Sequence, residues 1–135
     1  MRHRLYVHLI WTTRDRAPLI NATVARFLSR FLPAIATEER ATLVALGMVA
    51  THVHLLLRLN PATDIARMVQ RLKGGSAVLA AREGHAEPGS PLRWAKGYNL
   101  ESVSPRALPT VVHYLARQPE QHPAERIAGW PPKES

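Results

Sequence analysis

The sequence predicts an α+β domain on a ferredoxin-like antiparallel sheet. Its elements run β-α-β-β-α-β, with helices on one sheet face and a further C-terminal helix. Two observations carry this prediction. Four short segments are rich in the residues that favour strands, and the middle two follow each other with no helix-length connection. Between the others, apolar residues recur at the period of amphipathic helices.

Residues 4–12 read as the first strand, with Tyr6, His8 and Ile10 on one face and Leu5, Val7, Leu9 and Trp11 on the other. A polar turn covers 13–18. Asn21 or Thr23 suits the N-cap of a helix from Val24 to about Glu39, striped by Phe27, Leu28, Phe31, Leu32 and Ile35. Pro33 falls inside that stripe and predicts a kink or a split. Residues 42–50 are a continuous apolar run, a buried strand. Residues 51–59 form the next strand, after a reversal near Ala50–Thr51 that no Asn-Gly-type turn marks. Asp64 caps a helix to about Glu83 with Ile65, Met68, Val69, Leu72, Val78 and Leu79 along one side, weakened by Gly74-Gly75. Residues 84–91 are a loop and 97–103 the last strand. Ser104 at N-cap and Pro105 at N1 open a final helix to about Gln118, striped by Leu108, Val111, Val112 and Leu115. The expected organisation is one domain over residues 1–122 and a Pro-rich irregular tail, 123–135.

Composition bounds the chemistry. The chain has 135 residues and 46% hydrophobic residues, enough for one packed core and against intrinsic disorder. It has no cysteine, which excludes a disulfide framework, thiolate zinc sites and cysteine catalysis. No apolar run approaches the ~20 residues of a membrane span, and the apolar stretch after the first residues is too short for a signal peptide. The expected location is the cytoplasm. With 18 Lys+Arg against 10 Asp+Glu the net charge is +8, which attracts polyanions, nucleic acid above all. All the basic residues except Lys73, Lys96 and Lys133 are arginine, which binds phosphate bidentately and stacks on bases. A GC-rich genome explains the arginine bias equally well.

Two constellations can carry chemistry. His52 and His54 alternate along a strand and so point the same way, roughly 6.5–7 Å apart at Cα, close enough to converge on one metal ion. The pattern alone equally describes two hydrogen-bonded structural histidines, and a metal site needs a third ligand. Tyr114 and Gln118 are four apart and share a helical face. A tyrosine oxygen can be a nucleophile and a glutamine carbonyl suits a hard cation; packing and solvation are the plainer roles for both.

In this order, these residues resemble the small insertion-sequence transposases with one catalytic tyrosine, the IS200-like and REP-associated tyrosine transposases of the HUH endonuclease superfamily. The resemblance runs from about Tyr6 to about His122. It rests on His8-Leu-Ile-Trp-Thr-Thr-Arg14 with Arg16-Ala-Pro18, His52-Val-His-Leu-Leu-Leu57, and Ile65-Ala-Arg-Met-Val-Gln-Arg-Leu-Lys-Gly-Gly-Ser76. It continues in Trp94-Ala-Lys-Gly-Tyr98, Ser102-Val-Ser104 and Tyr114-Leu-Ala-Arg-Gln118. The chain departs from the family pattern at Ala50-Thr51, where Pro-Asp or Pro-Asn is usual, and at Arg117, where Asn is common. Pro119 directly follows Gln118.

The resemblance implies a metal-dependent enzyme that cleaves and rejoins single-stranded, hairpin-bearing DNA through a 5′-phosphotyrosine, acting as a homodimer and associated with the nucleoid when DNA-bound. It implies Tyr114 as nucleophile and His52, His54 and Gln118 as ligands of Mg²⁺ or Mn²⁺. Around them, Arg14, Arg16, Arg67, Arg71, Lys73 and Arg117 are candidate phosphate contacts, and Trp94 and Tyr98 candidate stacking platforms. Alternatives are a domesticated relative that nicks genomic palindromes and a non-catalytic ferredoxin-like nucleic-acid-binding module.

Overall fold

A computed structural model describes residues 3–132. Strand β1 (Leu5–Thr12) is followed by helix α1 (Ala22–Glu38), the hairpin of β2 (Thr42–Val49) and β3 (His52–Leu59), helix α2 (Ile65–Arg82) and β4 (Asn99–Val103). Helix α3 (Leu108–Ala116) and the one-turn helix α4 (Gln118–Gln121) come next. Short 3₁₀ turns occupy Arg14–Arg16, Pro105–Ala107 and Pro123–Glu125. The four strands lie in the order β2-β3-β1-β4 and every pair is antiparallel, the expected ferredoxin-like α+β sheet.

The period-2 pattern of β1 decides which side is core. Val7, Leu9 and Trp11, with Val53, Leu55 and Leu57 of β3, bury against Val24, Leu28 and Leu32 of α1 and Met68, Val69 and Leu72 of α2. Each such side chain contributes about 1.5–3 kcal/mol of burial. On the opposite face α3 lies across β2 and β3, so that Leu56 and Leu115 are buried there as well. Strand β3 is therefore covered on both sides, which is why it reads as an almost unbroken apolar run.

Asn21 caps α1 by accepting from Val24 N at 2.9 Å, and Asp64 caps α2 by accepting from Arg67 N at 3.1 Å. The expected split at Pro33 does not occur: α1 is one helix of 17 residues. Leu28 and Leu32 on one side of the proline, and Ile35 and Ala36 on the other, are all anchored in the core. Helix α2 likewise runs unbroken through Gly74-Gly75. A Cβ on Gly75 would stand 2.9 Å from Phe31 Cζ, so this glycine is where α1 and α2 draw close.

The final helix departs most from expectation. The span from Ser104 to Gln118 is divided into a 3₁₀ turn, α3 and α4, with the break at Arg117 (φ −101°, ψ 12°). Proline disfavours helical geometry in the residue before it and suits a first turn, so Pro119 ends one helix and begins another. Beyond α4, Ile127 is buried in the core and Trp130 packs against it. The backbone of this segment is pinned to the β2–β3 turn, where Ala50 N donates to Glu125 O at 2.7 Å. No described helix is long and apolar enough to cross a membrane.

Candidate active site

The histidine pair stands on β3, opposite Thr12 and Ile10 of β1 and opposite Val49 and Gly47 of β2. The turn before it is fixed from several directions. Thr51 O accepts from Thr13 N at 2.8 Å and from Thr13 Oγ1 at 3.1 Å, and Ala50 O accepts from Ile20 N at 3.1 Å. Thr51 adds a side-chain contact, its Oγ1 lying 3.0 Å from His52 Nδ1. The Ala50-Thr51 departure thus leaves a well-anchored turn.

His52 and His54 are both buried, their ring centroids 5.0 Å apart in an edge arrangement. Each engages a partner through Nδ1. His54 Nδ1 is 3.0 Å from Nε2 of His8, whose ring stacks on it at 5.1 Å. His54 Nε2 is buried without a hydrogen-bond partner. Burial, reinforced by the neighbouring His52, His8 and His122, pushes the His54 imidazole down to about 3. Burial also lowers His8, against the pull of Glu101. It lowers His52 too, against the pull of Glu125 and of the neighbouring Gln118 side chain. All three rings therefore keep a lone pair at neutral pH.

Helix α3 brings the other two residues onto this face. Its close approach depends on Gly47, the residue paired with His54: a Cβ there would meet Leu115 O at 2.5 Å and Gln118 Cγ at 3.0 Å. Tyr114 is 39% exposed, and its ring stands edge-on to His54 at 5.8 Å and to His8 at 6.3 Å. Gln118 is fully buried. Its Nε2 donates to Gln121 Oε1 at 3.3 Å, leaving Oε1 without a partner. The helix break at Arg117 changes how Tyr114 and Gln118 are presented, but both face the histidine pair.

These residues fit a hard divalent cation. Two buried polar atoms on this face, His54 Nε2 and Gln118 Oε1, have no partner, and such groups cost about 1–3 kcal/mol each when left unmade. With Nδ1 of His52 turned to Thr51 at 3.0 Å, its Nε2 is the ring nitrogen left to face a cation. Among the described residues no three His, Cys, Asp or Glu side chains form a metal-binding group, so the Gln118 amide oxygen is indispensable to the set.

The structure disperses the outer candidates. Arg67 pairs with Glu39 at 3.1 Å, and Arg71 with Glu38 at 2.9 Å and Glu39 at 2.8 Å, tying α2 to the end of α1 on the face away from the histidines. Lys73 Nζ donates to the carbonyls of Ala95 and Gly97 at 2.8 and 2.7 Å, fastening the approach to β4. Trp94 donates to Ser76 Oγ at 2.9 Å and packs edge-on against Trp11, so its ring is an internal packing surface. Arg16 pairs with Glu125 at 3.3 Å, and Arg117 with Glu120 at 2.9 Å. Arg14 is exposed beside Arg93, in a concavity with Asp15 and Ser90, and Tyr98 is exposed near Lys96 and Asn99. Four residues of this neighbourhood were not among the candidate site residues: His8, Gly47, His122 and Glu125. A polar residue on the non-core face of β1, opposite a histidine strand, signals His8; the others depend on long-range contacts that no local pattern announces.

A family model described as transposase, IS200-like, matches residues 1–118. The chain belongs to the IS200-like transposase family. A candidate transposase from Deinococcus radiodurans R1 has a solved structure 32% identical in sequence. The match covers 87% of this chain and 93% of that one, with a TM-score of 0.67. A REP-associated tyrosine transposase bound to a REP hairpin shares the fold at 13% identity and a TM-score of 0.68, over 90% of this chain and 72% of that one. No curated protein matches. This transposase thus acts on DNA, and the basic charge read from its composition is the charge of a DNA-directed protein.

Proposed function

We propose that this transposase cleaves and rejoins single-stranded, hairpin-bearing DNA, with Tyr114 as nucleophile and His52, His54 and Gln118 holding Mg²⁺ or Mn²⁺. The observation that carries the reading is the exposed Tyr114 ring at 5.8 Å from His54, above the buried and unpartnered His54 Nε2 and Gln118 Oε1. When bound, the cation polarises the scissile phosphate and stabilises the charge that develops on it. Tyr114 Oη attacks the phosphorus, forming a bond to the 5′ side, while the 3′ oxygen leaves and takes a proton. Attack by another 3′-OH reverses the step and frees Tyr114, so no external energy source is needed. Burial of His52, His54 and Gln118 excludes water from the ligand side, and exposure of Tyr114 leaves it open to an incoming strand. Imidazole is softer than Mg²⁺ prefers, which favours Mn²⁺ for tight binding.

Arg14 and Tyr98 are the proposed outer contacts, to phosphate and to an unpaired base. The solved relative with a REP hairpin supports hairpin DNA as the substrate class, and a homodimer in the cytoplasm completes the proposal. The test is incubation of the protein with hairpin-bearing single strands, with and without Mn²⁺, on a denaturing gel. A covalent protein–DNA adduct that needs both Mn²⁺ and Tyr114 is expected; an adduct that persists in Tyr114→Phe overturns the assignment. No adduct under any condition, with binding retained, favours the non-catalytic module.

A further inference from the structure

The carboxylate of Glu125 occupies an unusual position. It belongs to the 3₁₀ turn Pro123–Glu125, beyond the residues matched by the family model. Its backbone carbonyl is locked to Ala50 N, and Ile127 just after it is buried in the core, so the turn is held at both levels. One oxygen, Oε1, takes the Arg16 guanidinium at 3.3 Å. The other, Oε2, is buried, lacks a hydrogen-bond partner and lies 3.8 Å from Nδ1 of His52 and 3.8 Å from Nδ1 of His122. The His122 ring stands edge-on to His52 at 5.1 Å. The Thr51 hydroxyl is a second neighbour of the ring, 3.0 Å from His52 Nδ1. Burial would raise the Glu125 carboxyl, but Thr51, Arg16 and His52 outweigh it and keep it below the usual carboxylate range.

An imidazole can serve a cation only through a nitrogen without a proton. If the proton of His52 sat on Nε2, the Nδ1 lone pair would face a buried carboxylate and Nε2 would be closed to a metal. With the proton on Nδ1, it points toward the carboxylate and the Thr51 oxygen, and the Nε2 lone pair is released. Carboxylate–histidine–metal arrangements work this way in general.

We propose that Glu125 is a positioning residue: held by Arg16 and by the Ala50 backbone, its carboxylate, 3.8 Å from Nδ1, fixes His52 in the Nδ1–H tautomer by its charge, so that Nε2 is the donor. This rests on the reading of His52 as a metal ligand. It also gives Arg16 a role inside the site and makes residues 119–127 part of it.

Mn²⁺ titration by calorimetry, with ¹⁵N NMR of the His52 ring in metal-free protein, tests this. Glu125→Gln and Glu125→Ala are expected to bind Mn²⁺ roughly 10- to 100-fold more weakly than wild type, with the His52 ring shifting from one tautomer to a mixture. His54→Ala is the control for the site. If it binds Mn²⁺ like wild type, or wild type does not bind, the ligand reading fails and the positioning role with it. If His54→Ala loses binding while folded Glu125→Ala stays within threefold of wild type, the positioning role alone is overturned. Glu125→Gln decides if the alanine variant does not fold. A wild-type His52 ring protonated on Nε2 overturns the proposal without any variant.

Discussion

Gly47→Ala is the sharpest test of how the site is held together. The added Cβ would lie 2.5 Å from Leu115 O and 3.0 Å from Gln118 Cγ. The first of these is backbone, so it cannot be relieved by a rotamer change. Restoring ordinary contact near 3.4 Å requires α3 to lift by roughly 0.9 Å at that carbonyl. Overpacking of this kind costs about 1–3 kcal/mol, an unfolding midpoint several degrees lower. The larger effect falls on chemistry. Gly47 pairs with His54, so the lift opens the gap between His54 and the two α3–α4 residues above it. A displacement near 1 Å at a reacting centre costs on the order of 100-fold. Thermal unfolding, the Mn²⁺ dissociation constant and the rate of adduct formation should be measured together, well below the midpoint. A Gly47→Ala protein with wild-type stability and wild-type adduct rate would refute the claim that close packing over Gly47 sets the site.

Tyr114→Phe should abolish the adduct and leave the unfolding midpoint within a degree or so, because the hydroxyl makes no hydrogen bond among the described residues and the ring is partly exposed. Stability should depend on pH through His54. Its folded value, about 3, lies below the unfolded 6.5, so the unfolded chain takes up the proton first. The contribution is complete above pH 6.5 and falls by up to about 1.4 kcal/mol per pH unit below it. Urea titrations between pH 7 and 5 should show that slope in the wild type and a shallower one in His54→Gln. Lys73→Met and Arg14→Ala should separate structural from DNA-facing charge. The first should lower the unfolding midpoint by releasing the Ala95 and Gly97 carbonyls, with little change in the salt dependence of DNA binding. The second should leave stability alone and reduce the salt slope by about 1.

Strands and the two long helices were legible because their signals are local. Alternation in β1 and the two caps, Asn21 and Asp64, depend only on neighbours in sequence, and the structure places them as the pattern predicts. The paired faces of His52 and His54 follow from the same period of two. Helix α2 runs through Gly74-Gly75 as its apolar stripe predicts, and Pro33 does not split α1, because the residues around it are core and Gly75 makes room for Phe31. The opposite happened at Pro119, where a local preference prevailed and cut the last helix in two. The intramolecular ion pairs of Arg67 and Arg71 on α2 were not legible, because charge alone carries no address. Their partners Glu38 and Glu39 lie a strand hairpin away in sequence. Glu125 and His122 were out of reach for the same reason, since only the folded chain sets them beside His52.

The pinning of the β2–β3 turn bears on the order in which this protein is made. The histidines are synthesised before residue 55, yet the atoms that close around them arrive from Tyr114, Gln118 and Glu125. A ribosome-bound chain that has emerged only through β4 already has all four strands and both core helices, though not Ile127 of the core. It holds the histidine face bare, without the helix that covers it. The candidate site stays incomplete until Tyr114, Gln118 and Glu125 have emerged and packed beside the histidines.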